Sequence, residues 1–128
     1  MPVVSISLNK TMLEAMDSLQ TEAGFSGRSE VMRAALRMLL EENKKHSKLE
    51  GLVECVILVI HDDRSCSDVV DIQHKFRDFI SATHLHNEVE GGKCLEVFIL
   101  KGDAKQIKQM YGELQRNKRL GYTKLILT

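Results

Sequence analysis

Residues 3–8 of the chain read Val-Val-Ser-Ile-Ser-Leu, and this alternation decides the fold of the N-terminal region. Successive side chains of a strand point to opposite faces. One face then carries the apolar side chains Val4, Ile6 and Leu8. The other carries Val3, Ser5 and Ser7. Because one strand cannot bury an apolar face and a lone two-stranded ribbon is marginal, we predict that two copies of the chain pair these strands antiparallel.

Two amphipathic helices are predicted after this strand, and they would cover its apolar face. Their apolar residues recur at helical spacing as Met12, Leu13, Met16 and Leu19, then as Val31, Ala35, Leu36, Leu39 and Leu40. Gly24 is placed to end the first helix in a left-handed conformation. Ser29 is the predicted N-cap of the second helix, and Glu30 follows in the first turn, where a negative charge suits the helix dipole.

The small face of the paired strands has a size that fits the major groove of DNA. Doubled by symmetry, Val3, Ser5 and Ser7 would face the bases, since serine hydroxyls both donate and accept hydrogen bonds. The free N–H groups where the second helix begins form a phosphate site, with Arg28 beside Ser29. The sequence therefore predicts double-stranded DNA as a partner, contacted through these five residues.

The composition limits how such binding works and where the protein acts. The chain has 18 basic and 18 acidic residues, so non-specific attraction to DNA is weak and binding depends on placed contacts. No apolar run approaches the roughly 20 residues of a membrane span, and no secretory leader is visible. Three cysteines, an odd number, argue against a disulfide framework and for a reducing compartment. We expect a cytoplasmic protein that does not insert in a membrane.

The hydrophobic pattern changes after a polar helix tail and linker at residues 41–51. The predicted elements are a buried strand at 52–60, a helix with apolar residues at 69, 72, 76 and 79, strands at 80–89 and 94–100 joined by a tight turn at 90–92, a helix opened by Asp103, and a strand at 124–127. The order β-α-β-β-α-β is that of a ferredoxin-like unit. The fold class is therefore α+β.

Candidate metal ligands lie on the two strands of the predicted hairpin. His84, His86 and Glu88 alternate and so share a face of the first strand, and Cys94 opens the second. Imidazole, carboxylate and thiol together suit a borderline transition metal. The alternative is that the histidines are surface residues and the cysteine is a small buried apolar residue.

The hairpin decides whether these side chains meet. Pairing across a three-residue turn at 90–92 predicts three opposed pairs: Val89 with Lys93, Glu88 with Cys94, and His86 with Glu96. Opposed residues point the same way, so the imidazole and the thiol would converge. A two-residue turn at Gly91-Gly92 would change the parity and take Cys94 off that face.

Five segments of the chain resemble the NikR-type nickel-responsive transcriptional regulators. They are Val-Ser-Ile-Ser-Leu at 4–8, Gly-Phe-Ser-Gly-Arg-Ser-Glu at 24–30, Gln73-His74, Cys94-Leu95-Glu96-Val97 and Leu100-Lys101-Gly102-Asp103. The resemblance implies a ribbon-helix-helix DNA-binding domain over residues 1–46 and a ferredoxin-like (ACT-like) metal-binding and tetramerisation domain over residues 52–128. It also implies a homotetramer built as a dimer of dimers, which binds a DNA operator.

The resemblance further implies a nickel site shared between subunits. In that family two alternate histidines and a later cysteine come from one subunit, and another histidine comes from a neighbour. Counting back from Cys94 places His86 on the first of the alternate histidines and Glu88 where the second belongs. His74 matches the neighbour's ligand. Alternatively, two extra residues in the hairpin make His84 and His86 the pair.

A carboxylate in place of an imidazole departs from the family pattern and weakens the square-planar preference for Ni²⁺ relative to Zn²⁺ or Co²⁺. We expect nickel, with zinc or cobalt as alternatives.

The first hypothesis is a metal-responsive regulator, a repressor, whose metal and DNA affinities are reciprocally coupled. The second is a regulator of the same fold with a different or lost effector, such as another metal or a small ligand. An enzyme is disfavoured, since a nucleophilic Cys94 has no evident third orienting group.

Overall fold

The computed structural model describes residues 1–89 and 91–128, apart from the side chains of residues 88 and 89. The chain divides into two compact units, Met1–Ser47 and Lys48–Thr128. The first unit contains two helices, and the second combines helices with a four-stranded sheet. The predicted α+β class is confirmed. No helix of the described ranges is long and apolar enough to cross a membrane.

Two helices form the N-terminal unit, α1 at Lys10–Ala23 and α2 at Arg28–Ser47. Asn9 caps α1, because its side-chain oxygen accepts a hydrogen bond from the backbone N–H of Met12 at 2.8 Å. Gly24 ends the helix at φ 75°. A side chain other than glycine is disfavoured in that left-handed conformation, so the predicted role of Gly24 is confirmed.

Helix α2 begins before the predicted cap. Its first residue is Arg28, and the carbonyl of Gly27 accepts from the N–H of Val31 at 3.2 Å. The prediction that Ser29 is the N-cap is therefore wrong: the glycine before Arg28 holds that position, and Ser29 lies inside the first turn. The backbone N–H of Ser29 remains one of the first donors of a helix, which have no partner within the helix.

Residues 1–9 form no strand in the single chain. Val3 is 91% exposed, Val4 is 83% exposed and Ile6 is 57% exposed. A strand is defined by hydrogen bonds to a second backbone, and within the described part of this unit none is supplied. Apolar side chains of both helices are exposed as well, among them Met12, Leu19, Leu36 and Leu39. The N-terminal strand stays a prediction that depends on a second copy.

The C-terminal unit is an antiparallel sheet with two helices on one face. Its elements are β1 (Leu52–Asp62), α3 (Cys66–Lys75), β2 (Ile80–Val89), β3 (Lys93–Asp103), α4 (Ala104–Arg116) and β4 (Tyr122–Leu127). The strand order is β2-β3-β1-β4, with β1 and β3 at the centre. The predicted β-α-β-β-α-β order is confirmed.

The core lies between the sheet and the helices, and every second residue of the central strands enters it. The buried residues of β1 are Cys55, Ile57, Val59 and His61, and those of β3 are Cys94, Glu96, Phe98 and Leu100. Helix α4 covers them with Ile107, Met110 and Leu114, and α3 adds Val69. The opposite face of the sheet is open, with Ile99, Tyr122 and Ile126 exposed. Three polar side chains are therefore buried on the helix side: His61, Ser65 and Glu96.

Candidate metal centre and nucleic-acid interface

The hairpin of β2 and β3 carries a register shift. Val89 pairs with Lys93, as predicted, but the register shifts between His86 and Val89. Leu85 therefore lies opposite Glu96, and the predicted pairing of His86 with Glu96 is wrong. Because side chains alternate along a strand, one extra residue moves all residues beyond it to the other face.

His84 and His86 lie on the open face of the sheet. Their rings are stacked, with centroids 6.4 Å apart and an interplanar angle of 20°. Thr83, next to His84 and therefore on the opposite face, points towards the helices, since Gln73 Nε2 of α3 donates to Thr83 Oγ1 at 3.4 Å. Both histidines are exposed, so they form a pair of accessible imidazoles.

Cys94 lies on the opposite, helix-covered face and is 4% exposed. Its thiol donates to Asp63 Oδ1 at 3.1 Å and has Asn87 Oδ1 at 3.5 Å. The hydrogen bond to Asp63, followed by burial and the negative charge of that carboxylate, raises the pKa of Cys94 to about 11. The thiol therefore keeps its proton at neutral pH when no cation is bound.

A buried polar pair that the sequence reasoning missed lies beside Cys94. His61 is the strand partner of Cys94, and its Nε2 is 3.1 Å from Glu96 Oε2. Its Nδ1 is 2.8 Å from the carbonyl oxygen of Asp62, which fixes the ring with Nδ1 as the donor. No alternation in the sequence marks this residue, because residues 55–60 are all apolar; only the structure shows that His61 continues the buried face at 55, 57 and 59.

The remaining predicted ligands do not complete a site within one chain. His74 is exposed on α3, and the side chain of Glu88 lies outside the described residues. In the part of the chain that the structure describes, no three His, Cys, Asp or Glu side chains are grouped to hold a metal. The donor types suit nickel, but His86 and Cys94 lie on opposite faces of the sheet, so the described residues of one chain present no assembled nickel site.

The arginines of the N-terminal unit are held by carboxylates. Arg28 Nε donates to Asp17 Oδ1 and its Nη2 to Asp17 Oδ2, both at 2.9 Å. Arg33 and Arg37 contact the two oxygens of Glu30 at 3.0 and 3.3 Å. The predicted base-reading residues Val3, Ser5 and Ser7 are all exposed.

Two protein families match the chain, one in each unit. Residues 3–43 match the family described as ribbon-helix-helix protein, copG family. Residues 55–128 match the family described as NikR C terminal nickel binding domain. Together the two matches cover most of both units.

The chain has relatives that it matches over most of their length and of its own. A putative nickel-responsive regulator of Geotalea uraniireducens is 37% identical over 126 residues, which are 96% of this chain and 89% of the relative. Proteins of the same name from Methanocaldococcus jannaschii and Dictyoglomus turgidum are 36% and 30% identical; the alignments cover 95% and 96% of this chain and 88% and 92% of those proteins.

A solved structure shares the fold of part of the chain. The uncharacterized protein TM1266 from Thermotoga maritima superposes with a TM-score of 0.56 at 15% identity. The match covers 60% of this chain and 98% of that protein. At this identity the likeness concerns the fold alone.

Proposed function

Because the chain belongs to the NikR family of nickel-responsive, ribbon-helix-helix transcriptional regulators, we propose that it is a repressor that binds a double-stranded DNA operator in response to a metal ion. The observation that carries the proposal is the presence of both domains in one chain, the first at 3–43 and the second at 55–128. Its role is regulatory and not enzymatic, and it acts in the cytoplasm.

Operator recognition is assigned to the N-terminal segment and the start of α2. Val3, Ser5 and Ser7 are exposed and alternate, which suits a strand lying in the major groove. Ser29 and Arg28 belong to the first turn of α2, where free backbone N–H groups favour a phosphate. These residues therefore divide into base readers and phosphate holders.

A homotetramer, formed as a dimer of dimers, is part of the proposal. The exposed apolar residues of the first unit, from Val4 and Ile6 to Leu36 and Leu39, require a covering surface. A second copy covers them when the two N-terminal segments pair. The metal response is assigned to the second unit.

The proposed metal ligands are His86 and Cys94 with Glu88, together with His74 of a neighbouring subunit. His84 is the alternative partner of His86, and the stacking of these two rings on one face supports it. Cys94 faces away from them, which favours a second candidate function: a regulator of the same fold whose effector is another metal or a small ligand.

Calorimetric titration of Ni²⁺ into the full-length protein tests the ligands. We expect His86→Ala and His74→Ala to weaken nickel binding at least tenfold, since even the loss of a residue that supports a ligand typically costs about 10–100-fold. The matched control is His46→Ala, which removes an imidazole from the N-terminal unit. His84→Ala and Glu88→Ala decide between the two registers, because only the variant that removes a true ligand weakens binding.

The same titration separates the two candidate functions. A thiolate ligand must lose its proton, so nickel binding through Cys94 should release protons and weaken as the pH falls, and Cys94→Ser should reduce the proton release to what the imidazole ligands contribute. Titrations with Zn²⁺ and Co²⁺ measure metal preference. If no variant changes the uptake of any of the three metals, the nickel proposal is wrong and the second candidate stands.

A further inference from the structure

Arg28 is engaged by an internal carboxylate at the place where DNA phosphate is expected. The two hydrogen bonds to Asp17 are parallel and both 2.9 Å long, the two-point geometry that guanidinium also forms with phosphate. The pair is accessible, with the Arg28 side chain 58% exposed and that of Asp17 45% exposed. A phosphate can therefore reach the pair and compete for the same donors.

The ion pair joins the two helices of the N-terminal unit. Asp17 lies on α1, eleven residues before Arg28, which is the first residue of α2. The hydrogen bond with Arg28 lowers the pKa of Asp17, so this carboxyl is ionised at neutral pH. Its negative charge both occupies the guanidinium and repels an approaching phosphate.

The other arginines of this unit are engaged as well. The sequence contains three arginines between residues 1 and 47, and Glu30 contacts the two that Asp17 does not. Each of the three guanidinium groups described in this unit is thus paired with a carboxylate. Asp17 contacts Arg28, the arginine that begins α2 beside the free N–H groups of the first turn.

We propose that Asp17 sets the selectivity of DNA binding by competing with the DNA backbone for Arg28. This inference rests on the proposed function. On unrelated DNA, a phosphate contact gains little when it must displace Asp17. On the operator, base contacts worth about 1–3 kcal/mol each add to the phosphate contact and favour the exchange. Asp17 therefore suppresses non-specific binding more than specific binding.

Fluorescence anisotropy with a labelled 30-base-pair random-sequence duplex tests the proposal at several salt concentrations, using the full-length protein. Asp17→Asn keeps the size of the side chain and removes its charge. We expect this variant to bind random DNA roughly threefold to tenfold more tightly at low salt, with a plot of log affinity against log salt about 0.9 steeper, the contribution of one more neutralised phosphate. Asp17→Ser serves as a second variant if circular dichroism shows that the first misfolds.

Two controls isolate the role of Arg28. Glu22→Gln removes one charge from the same helix at an exposed position, and we expect less than a twofold change. In an Arg28→Gln background, Asp17→Asn should have no larger effect than Glu22→Gln. If Asp17→Asn binds random DNA as the parent does, or more weakly, then Asp17 merely orients Arg28 and the inference is wrong. If the parent binds no DNA with or without Ni²⁺, the proposed function itself fails.

Discussion

The hydrogen bond to Asp63 and burial keep the thiol of Cys94 protonated, and a metal that binds this thiol must displace its proton. Its hydrogen bond to Asp63 raises its pKa from the ordinary 9.0 to about 11, and burial raises the pKa of Cys55 to about 11 as well. A raised pKa favours the neutral thiol in the folded state. The resulting stabilisation is complete below pH 9 and is lost as the pH rises towards 11.

Asp63→Asn should lower the pKa of Cys94, because it removes the charged acceptor that favours the thiol form. We expect the rate of reaction with a disulfide reagent at pH 8 to rise roughly threefold to fourfold for each pKa unit lost, since the larger thiolate fraction is partly offset by the lower nucleophilicity of a less basic thiolate. The measurement is made in a Cys66→Ser background, and Asp71→Asn on the exposed side of α3 is the control. An unchanged pH profile would show that Asp63 does not control this thiol.

Individual residues show what the sequence could and could not reveal about the site. The alternation of His84 and His86 placed both on one face, and the structure keeps them together. Their separation from Cys94 depends on one extra residue in β2, which no pattern of residue types specifies. The partner of Arg28 was equally hidden, because Asp17 comes near it only when α1 and α2 pack.

The elements of the second unit were predictable because each has a local signal. Nearly continuous apolar runs specify β1 and β3, and Asp103 caps α4 by accepting from the N–H of Lys105 at 2.8 Å. The start of helix α2 was predicted less accurately, since the residue that caps it is Gly27, which has no side chain to mark it in the sequence. The N-terminal strand has the right pattern but requires a partner backbone.

Gly102→Ala tests the junction between β3 and the turn before β2. A Cβ at Gly102 would overlap the ring atoms of Phe79, which packs against the core there. We expect a loss of about 1–3 kcal/mol in the free energy of unfolding, measured by urea denaturation. Gly112→Ala is the matched control inside α4.

A Cβ at Gly112 lies 3.4 Å from the nearest Arg116 atom, an ordinary contact. Alanine is also the better helix former, so this variant should be unchanged or gain up to about 1 kcal/mol. If both alanine variants unfold at the same urea concentration as the parent, Phe79 does not need the space that glycine leaves.

At the scale of the whole molecule, the two units divide the proposed function between them. The first unit, Met1–Ser47, contains the small alternating residues of the N-terminal segment and the start of α2. The second unit, Lys48–Thr128, has the imidazoles of His84 and His86 on one face of its sheet and the thiol of Cys94 on the other. Reciprocal coupling requires that metal and DNA favour the same arrangement of the subunits. We therefore expect that metal changes the affinity for one DNA sequence, and not for DNA in general.

Selection of DNA from a random-sequence duplex pool, with Ni²⁺ and with a chelator, tests this central claim most directly. We expect the full-length protein to enrich one sequence of two symmetric half-sites when Ni²⁺ is present and to enrich it at least tenfold less with the chelator. The Ser5→Ala/Ser7→Ala variant, which lacks the base-reading hydroxyls, should enrich it weakly in both conditions. Equal enrichment of the sequence with and without metal would contradict the metal response, and enrichment of no sequence in either condition would contradict operator binding itself.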